Sequence, residues 1–187
     1  MMLRSLTLAL AGTVLIGMLA CGGGSGGSAP AAASKLVYSD PPASGFRFVR
    51  NPTLSTDTQL VLELLGPSDV LGRGVAFTLD FGSGPVAWSK VAPTDTNYMQ
   101  NLLFDLGTGV QIIETQVTSS KLLAGAFQKG HGNERPFSLP LARVALTARP
   151  PLTAASIPLQ VVKFQYLPAT GGQLTDAACA VGSLAVQ

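Results

Sequence analysis

Few side chains in this sequence are equipped for chemistry, and their scarcity narrows the reading. One histidine, His131, stands among the 187 residues, inside the polar run 129–136 that reads KGHGNERP. Lys129, Asn133, Glu134 and Arg135 are its sequence neighbours. A serine–histidine–carboxylate site assembles across space, so spacing alone does not exclude one. Yet no serine sits in a Gly-x-Ser-x-Gly elbow between a strand and a helix, and a solvated loop histidine is the simpler reading. Zinc wants several His or Cys ligands, which the chain does not supply. Calcium needs clustered oxygens. Asp95, Asn97 and Asn101, with Asp105 just beyond, come nearest, but they lack an EF-hand spacing and read as a polar surface turn. The carboxylates are scattered, and a glycosidase pair is defined by distance in space rather than in sequence. No catalytic residue, metal or cofactor is called for.

Two thiols remain, Cys21 and Cys179. Cys21 follows MMLRSLTLALAGTVLIGMLA: one early arginine, Arg4, then an apolar run from Leu6 to Leu19. That run is too short and too early for a spanning helix. Met18-Leu19-Ala20-Cys21 resembles the lipobox of bacterial lipoproteins, although Met18 and Leu19 depart from its commonest residues. The resemblance implies cleavage before Cys21 and lipidation of its sulfur. An ordinary secretory signal cut after Ala20 is the alternative. Gly22 rather than an aspartate follows the cysteine, which among lipoproteins of double-membrane bacteria implies the outer membrane. Residues 22–34, GGGSGGSAPAAAS, form a tether. Its glycine and serine cannot build a core, and no Lys-Ser/Thr follows to make it a phosphate loop. If Cys21 carries lipid, Cys179 has no partner in the chain. Its setting, Ala177-Ala178-Cys179-Ala180-Val181, reads as a small buried hydrophobe.

The remaining residues, 35–187, are long enough for one domain with a real core. The formal charge is +2, and +1 without Arg4, which gives no basic stripe for nucleic acid. Outside the leader no helical apolar period persists. Residues 74–81, GVAFTLDF, alternate cleanly, with Val75, Phe77, Leu79 and Phe81 on one face and Ala76, Thr78 and Asp80 on the other. Further strands are expected over 36–38, 45–49, 58–65, 86–91, 109–117, 121–128, 141–148, 159–167 and 181–186. Gly82-Ser83-Gly84-Pro85 and Arg149-Pro150-Pro151 interrupt them as turns. Glu63 among leucines suggests that its strand meets water near an edge. Residues 93–101 read as a loop entering a short helix or turn. The pattern is an all-β sandwich or jelly roll.

Two segments carry a family resemblance: Gly72-Arg73-Gly74-Val75-Ala76-Phe77-Thr78-Leu79-Asp80-Phe81 with the following Pro85-Val86-Ala87-Trp88, and Leu141-Ala142-Arg143-Val144-Ala145-Leu146 after the polar loop. Their order resembles the cohesin family over most of residues 58–187. The resemblance implies an antiparallel jelly-roll β-sandwich of about nine strands, a fold of the sandwich class. It also implies a non-catalytic docking module whose classical partners are calcium-loaded dockerins. The Asp-Pro that often follows the glycine-led strand is replaced here by Gly82-Ser83-Gly84-Pro85. Only fold and class are therefore carried over, and no contact residue.

Function is thus expected to be protein–protein binding at the cell envelope, through an edge strand or a sheet face. Lys129, His131, Asn133, Glu134 and Arg135 are the candidate contact loop, because they are charged amid neutral surroundings. Carbohydrate binding is the alternative and needs exposed aromatics. Trp88 and Tyr166 read as core, Tyr166 by sharing a face with Val162 and Phe164; Tyr38 is a further candidate, and Tyr98 is the best exposed one. A purely structural role in envelope assembly is a third reading.

Overall fold

The computed structural model describes residues 35–104, 112–128 and 134–187, and among these every regular element is a strand. In chain order they are β1 (Leu36–Ser39), β2 (Phe46–Arg50), β3 (Gln59–Leu65), β4 (Leu71–Asp80), β5 (Val86–Ser89), β6 (Met99–Asn101), β7 (Ile112–Thr118), β8 (Lys121–Phe127), β9 (Arg135–Pro136), β10 (Ala142–Ala148), β11 (Ala155–Ile157), β12 (Gln160–Pro168), β13 (Thr175–Asp176), β14 (Cys179–Ala180) and β15 (Ser183–Val186). The leader and tether, residues 1–34, lie outside the described residues.

Two large sheets make the all-β sandwich. One runs β14-β2-β3-β10-β5, with β6 also on β10; the other runs β13-β12-β4-β8-β7, with β9 on β4. A third sheet, β1-β15-β11, lies outside both ladders. All pairs are antiparallel except β14 on β2. The alternation of β4 decides its orientation. Val75, Phe77 and Leu79 are buried, while Ala76 and Thr78 stay half-exposed on the outer face. Phe77 meets Phe48 of the opposite sheet edge-on, with ring centroids 5.1 Å apart, and Phe81 meets Trp88 at 5.9 Å.

One end of the core is a ring cluster around Phe137, which packs on Phe46, Phe104 and Tyr166 at centroid distances of 5.5, 6.1 and 5.9 Å. The cluster closes because Gly66 and Gly72 have no side chain. A Cβ on Gly66 would stand 2.7 Å from that of Phe137, and one on Gly72 would overlap the ring. Buried Arg73 steadies the same end, its guanidinium donating to the carbonyls of Pro168 and Gly171. At the other end the chain runs into the sandwich at Lys35, paired with Gln187 in both directions at 3.0 Å. Tyr38 pins this region. Its hydroxyl donates to the Phe48 carbonyl at 2.9 Å and accepts from the Gly182 N–H at 2.6 Å. Burial pushes the phenol up from its ordinary range, so it stays neutral.

Several expectations need correction. β3 is interior, between β2 and β10, so Glu63 marks no edge; it accepts from Arg143 and Asn51, each at 2.7 Å. Residues 99–101 form β6, where a short helix or turn was expected. Val162 does not share a face with Phe164. The β12–β4 register slips between Val161 and Lys163, and this bulge turns Val162 out to 52% exposure. Arg135 and Pro136 belong to β9 rather than to a loop, because they pair with Gly72 and Leu71.

Candidate functional site

The outer face of the β12-β4-β8-β7 sheet holds a trough of about 570 Å³. Register builds it. Gln165, Ala76, Gly125 and Glu114 lie in one row across the four strands, and Lys163, Thr78, Leu123 and Gln116 in the next. Ala76 and Thr78 on β4 and Gly125 on β8 are small outward groups, so the floor is low between them. Outward positions on β7 and β12 carry long polar ones, so the walls stand up. Leu123 rises from the floor with 39% exposure. Phe127 closes one end. Its ring lies over Gly74 and Gly125, where a Cβ on Gly125 would stand 3.1 Å from it and one on Gly74 would overlap it. Strand spacing of about 4.8 Å puts the walls about 14 Å apart, wide enough for one helix of about 10–12 Å or for an extended segment. Lys163 and Glu114 give the two walls opposite charge.

None of the described contact-loop or sugar-platform candidates lines the trough, whereas Asn97, from the polar turn weighed for calcium, does. Lys129, His131 and Asn133 lie outside the described residues. Glu134 and Arg135 are described, and Arg135 is exposed at β9. Among the candidate sugar platforms, Trp88 is buried at 6% exposure, its Nε1 donating to the Ser120 carbonyl at 2.7 Å, and Tyr38 is buried at 8%. Tyr166 packs against the core as expected. Tyr98, expected to be exposed, is half-buried and also packs there. Phe127 lines the trough on the sheet's outer face, and the sequence pattern alone did not single it out. Its signal was available: it alternates with Gly125 and Leu123 on a strand whose other face is Leu122, Ala124 and Ala126.

The polar turn at 95–101 holds itself together. Asp95 accepts from the Ala92 N–H at 2.8 Å and from Gln100 Nε2 at 2.9 Å. Asn101 brackets Phe104, donating to its carbonyl at 2.6 Å and accepting from its N–H at 3.0 Å. Asp105 lies outside the described residues. Among the described residues no three His, Cys, Asp or Glu side chains gather as metal ligands. Cys179 is half-buried against the core, and burial pushes its thiol up to about 12. Asp80 is held below its ordinary value by the Ser120 hydroxyl and then by the Gly82 N–H, which ties the end of β4 to the β7–β8 turn.

No protein-family model matches the sequence, and no curated protein matches it either. Among solved structures the chain is similar to the sixth cohesin of scaffoldin B from Acetivibrio cellulolyticus, crystallised in complex with a mutant dockerin. The two share 11% identity over 75% of this chain and 96% of that one, with a TM-score of 0.44.

Proposed function

We propose that this chain is a non-catalytic docking module, anchored through Cys21 to the cell envelope, with the β12-β4-β8-β7 trough as its docking face. The trough carries the reading. A low floor with one raised leucine, between polar walls of opposite charge, suits a protein segment laid across the sheet. It offers no row of aromatic planes for a sugar. The perturbed groups fit the same reading, since Tyr38, Cys179 and Asp80 each serve packing or a turn. Anchoring and outer-membrane placement rest on the leader and the Met18–Cys21 motif. A dockerin-like partner is what the sequence resemblance implies.

The test uses the chain from residue 21 with Cys21→Ser, immobilised and offered envelope proteins and polysaccharides with and without calcium. We expect one protein to be retained by this chain and lost from Leu123→Glu, an exposed floor position whose substitution spares the core. Retention that ignores Leu123→Glu overturns the trough. Calcium-dependent retention identifies a dockerin-like partner. Retention of polysaccharide alone replaces this reading with the carbohydrate module.

A further inference from the structure

Alternate residues of β8 turn outward and should meet solvent. Leu123 does, but Gly125 is buried, and so is Gly74, the β4 residue opposite Phe127. The Phe127 ring covers both glycines. A Cβ on Gly74 would overlap its Cδ1, and one on Gly125 would stand 3.1 Å from its Cε2, the atom diagonally across the ring. Two opposite edges of the ring therefore rest on the sheet. It lies along the floor with one face down and the other turned to the trough that it lines. Glu114 stands beside the covered glycine. It is the direct partner of Gly125 on β7, about 5 Å away across the strand gap, and it lines the same trough. Glu114 is exposed, and its carboxylate forms no ion pair or hydrogen bond among the described residues. On the other side of Gly125, Ala76 carries only a methyl, which leaves room above the ring. The lysines of this face, Lys121 and Lys163, stand about 14 Å or more from Glu114 by strand spacing and rise, well beyond a screening length of about 8 Å.

We propose that Phe127 and Glu114 form a subsite for an arginine side chain of the protein that docks in the trough. This rests on the docking reading and names what the partner must carry. A guanidinium is planar and weakly hydrated, so it stacks on an aromatic face. Its edge donates two parallel hydrogen bonds to a carboxylate at the rim of that face. Ring and carboxylate here are one strand apart, close enough for one guanidinium to meet both. A lysine ammonium is more strongly hydrated and presents no plane to the ring. An apolar side chain would cover the ring but leave Glu114 desolvated and unpaired, which is costly. An acidic one would set like charges together.

The test is an NMR titration of the chain from residue 21 with Cys21→Ser, using N-acetylargininamide as the probe and its citrulline and lysine counterparts as controls. Citrulline keeps the plane and loses the charge. We expect shifts at the amides of Gly74, Glu114, Gly125 and Phe127, and cross-relaxation between the probe's side chain and the Phe127 ring. Binding should weaken about tenfold in Glu114→Gln, an exposed substitution that spares the fold. Phe127→Leu should weaken it similarly, with a thermal melt to confirm folding. Absence of these shifts overturns the subsite. So does equal binding of the citrulline or lysine amide, or indifference to Glu114→Gln. Cellotriose shifting the same amides also overturns it, by putting a sugar ring on Phe127. Loss of the retained protein from Leu123→Glu is a separate readout, so the subsite can fail while the docking face stands.

Discussion

At the scale of single residues, Phe137 and Asp80 show two kinds of stabilisation. Phe137 is fully buried, and it touches three other rings above two glycines that leave it room. Removing the ring leaves a cavity that Gly66 and Gly72 have no side chain to fill, bounded on its other sides by three rigid rings. Phe137→Ala should cost about 3–5 kcal/mol in urea unfolding; a loss under about 1 kcal/mol would mean that this end of the sandwich collapses readily. Asp80 acts through charge. The Ser120 hydroxyl and the Gly82 N–H hold its carboxyl below the unfolded value. A lowered folded value contributes stability above the unfolded value of about 3.9, and that stability is lost as pH falls through the folded one. Below about pH 4, therefore, Asp80→Asn should flatten the acid side of a plot of unfolding free energy against pH. Parallel curves for the two proteins would show that the hydrogen bonds there do not discriminate between charge states.

At the scale of elements, the β7–β8 hairpin is the most sensitive part of the trough, because both strands set its floor and wall. Its turn holds Ser119 at φ 40°, in the left-handed region that favours glycine. Ser119→Gly should stabilise the fold, and an increase of about 0.5–1 kcal/mol in thermal or urea unfolding is the expected size of relieving such a position. No increase would show that the Ser119 side chain repays its own strain. This hairpin also shows what sequence alone reveals. Alternation along 74–81 exposed the orientation of β4, since one face must meet the core and the other water. The small outward groups of β4 were visible in the same pattern. The trough was not, because it exists only once Ala76 lies beside Gly125 and between Gln165 and Glu114. Those contacts join residues far apart in the chain, and strand register decides them. The β12 bulge was hidden for a related reason: Val161 and Val162 are equally apolar, and only pairing with β4 selects which one turns inward. β9, β13 and β14 are two residues each, too short for any period to show.

At the scale of the whole molecule, the proposed anchor and the trough must be compatible. Lys35, the first described residue, is hydrogen-bonded to Gln187. β4 runs from the Phe137 cluster at Leu71 to the Gly82 turn at Asp80, and ten residues at about 3.3 Å each make it about 33 Å long. The trough lies midway along it. A thirteen-residue Gly/Ser-rich segment has a random-coil span of about 20 Å, so the proposal of a lipidated Cys21 carries with it the expectation that residues 22–34 supply clearance from the headgroups. Under that proposal the lipid would supply the attachment, since each buried CH₂ contributes about 0.8 kcal/mol and two or more acyl chains give stable anchoring. Two variants separate anchoring from reach. Cys21→Ser should move the protein from the membrane fraction to the soluble one. Deleting residues 22–34 should leave it on the membrane while reducing partner capture by intact cells or vesicles, because the domain would then sit against the headgroups. If the deletion captures partner as well as the full chain, the trough needs no clearance. If Cys21→Ser stays with the membrane, attachment runs through the folded domain, and the lipobox reading fails.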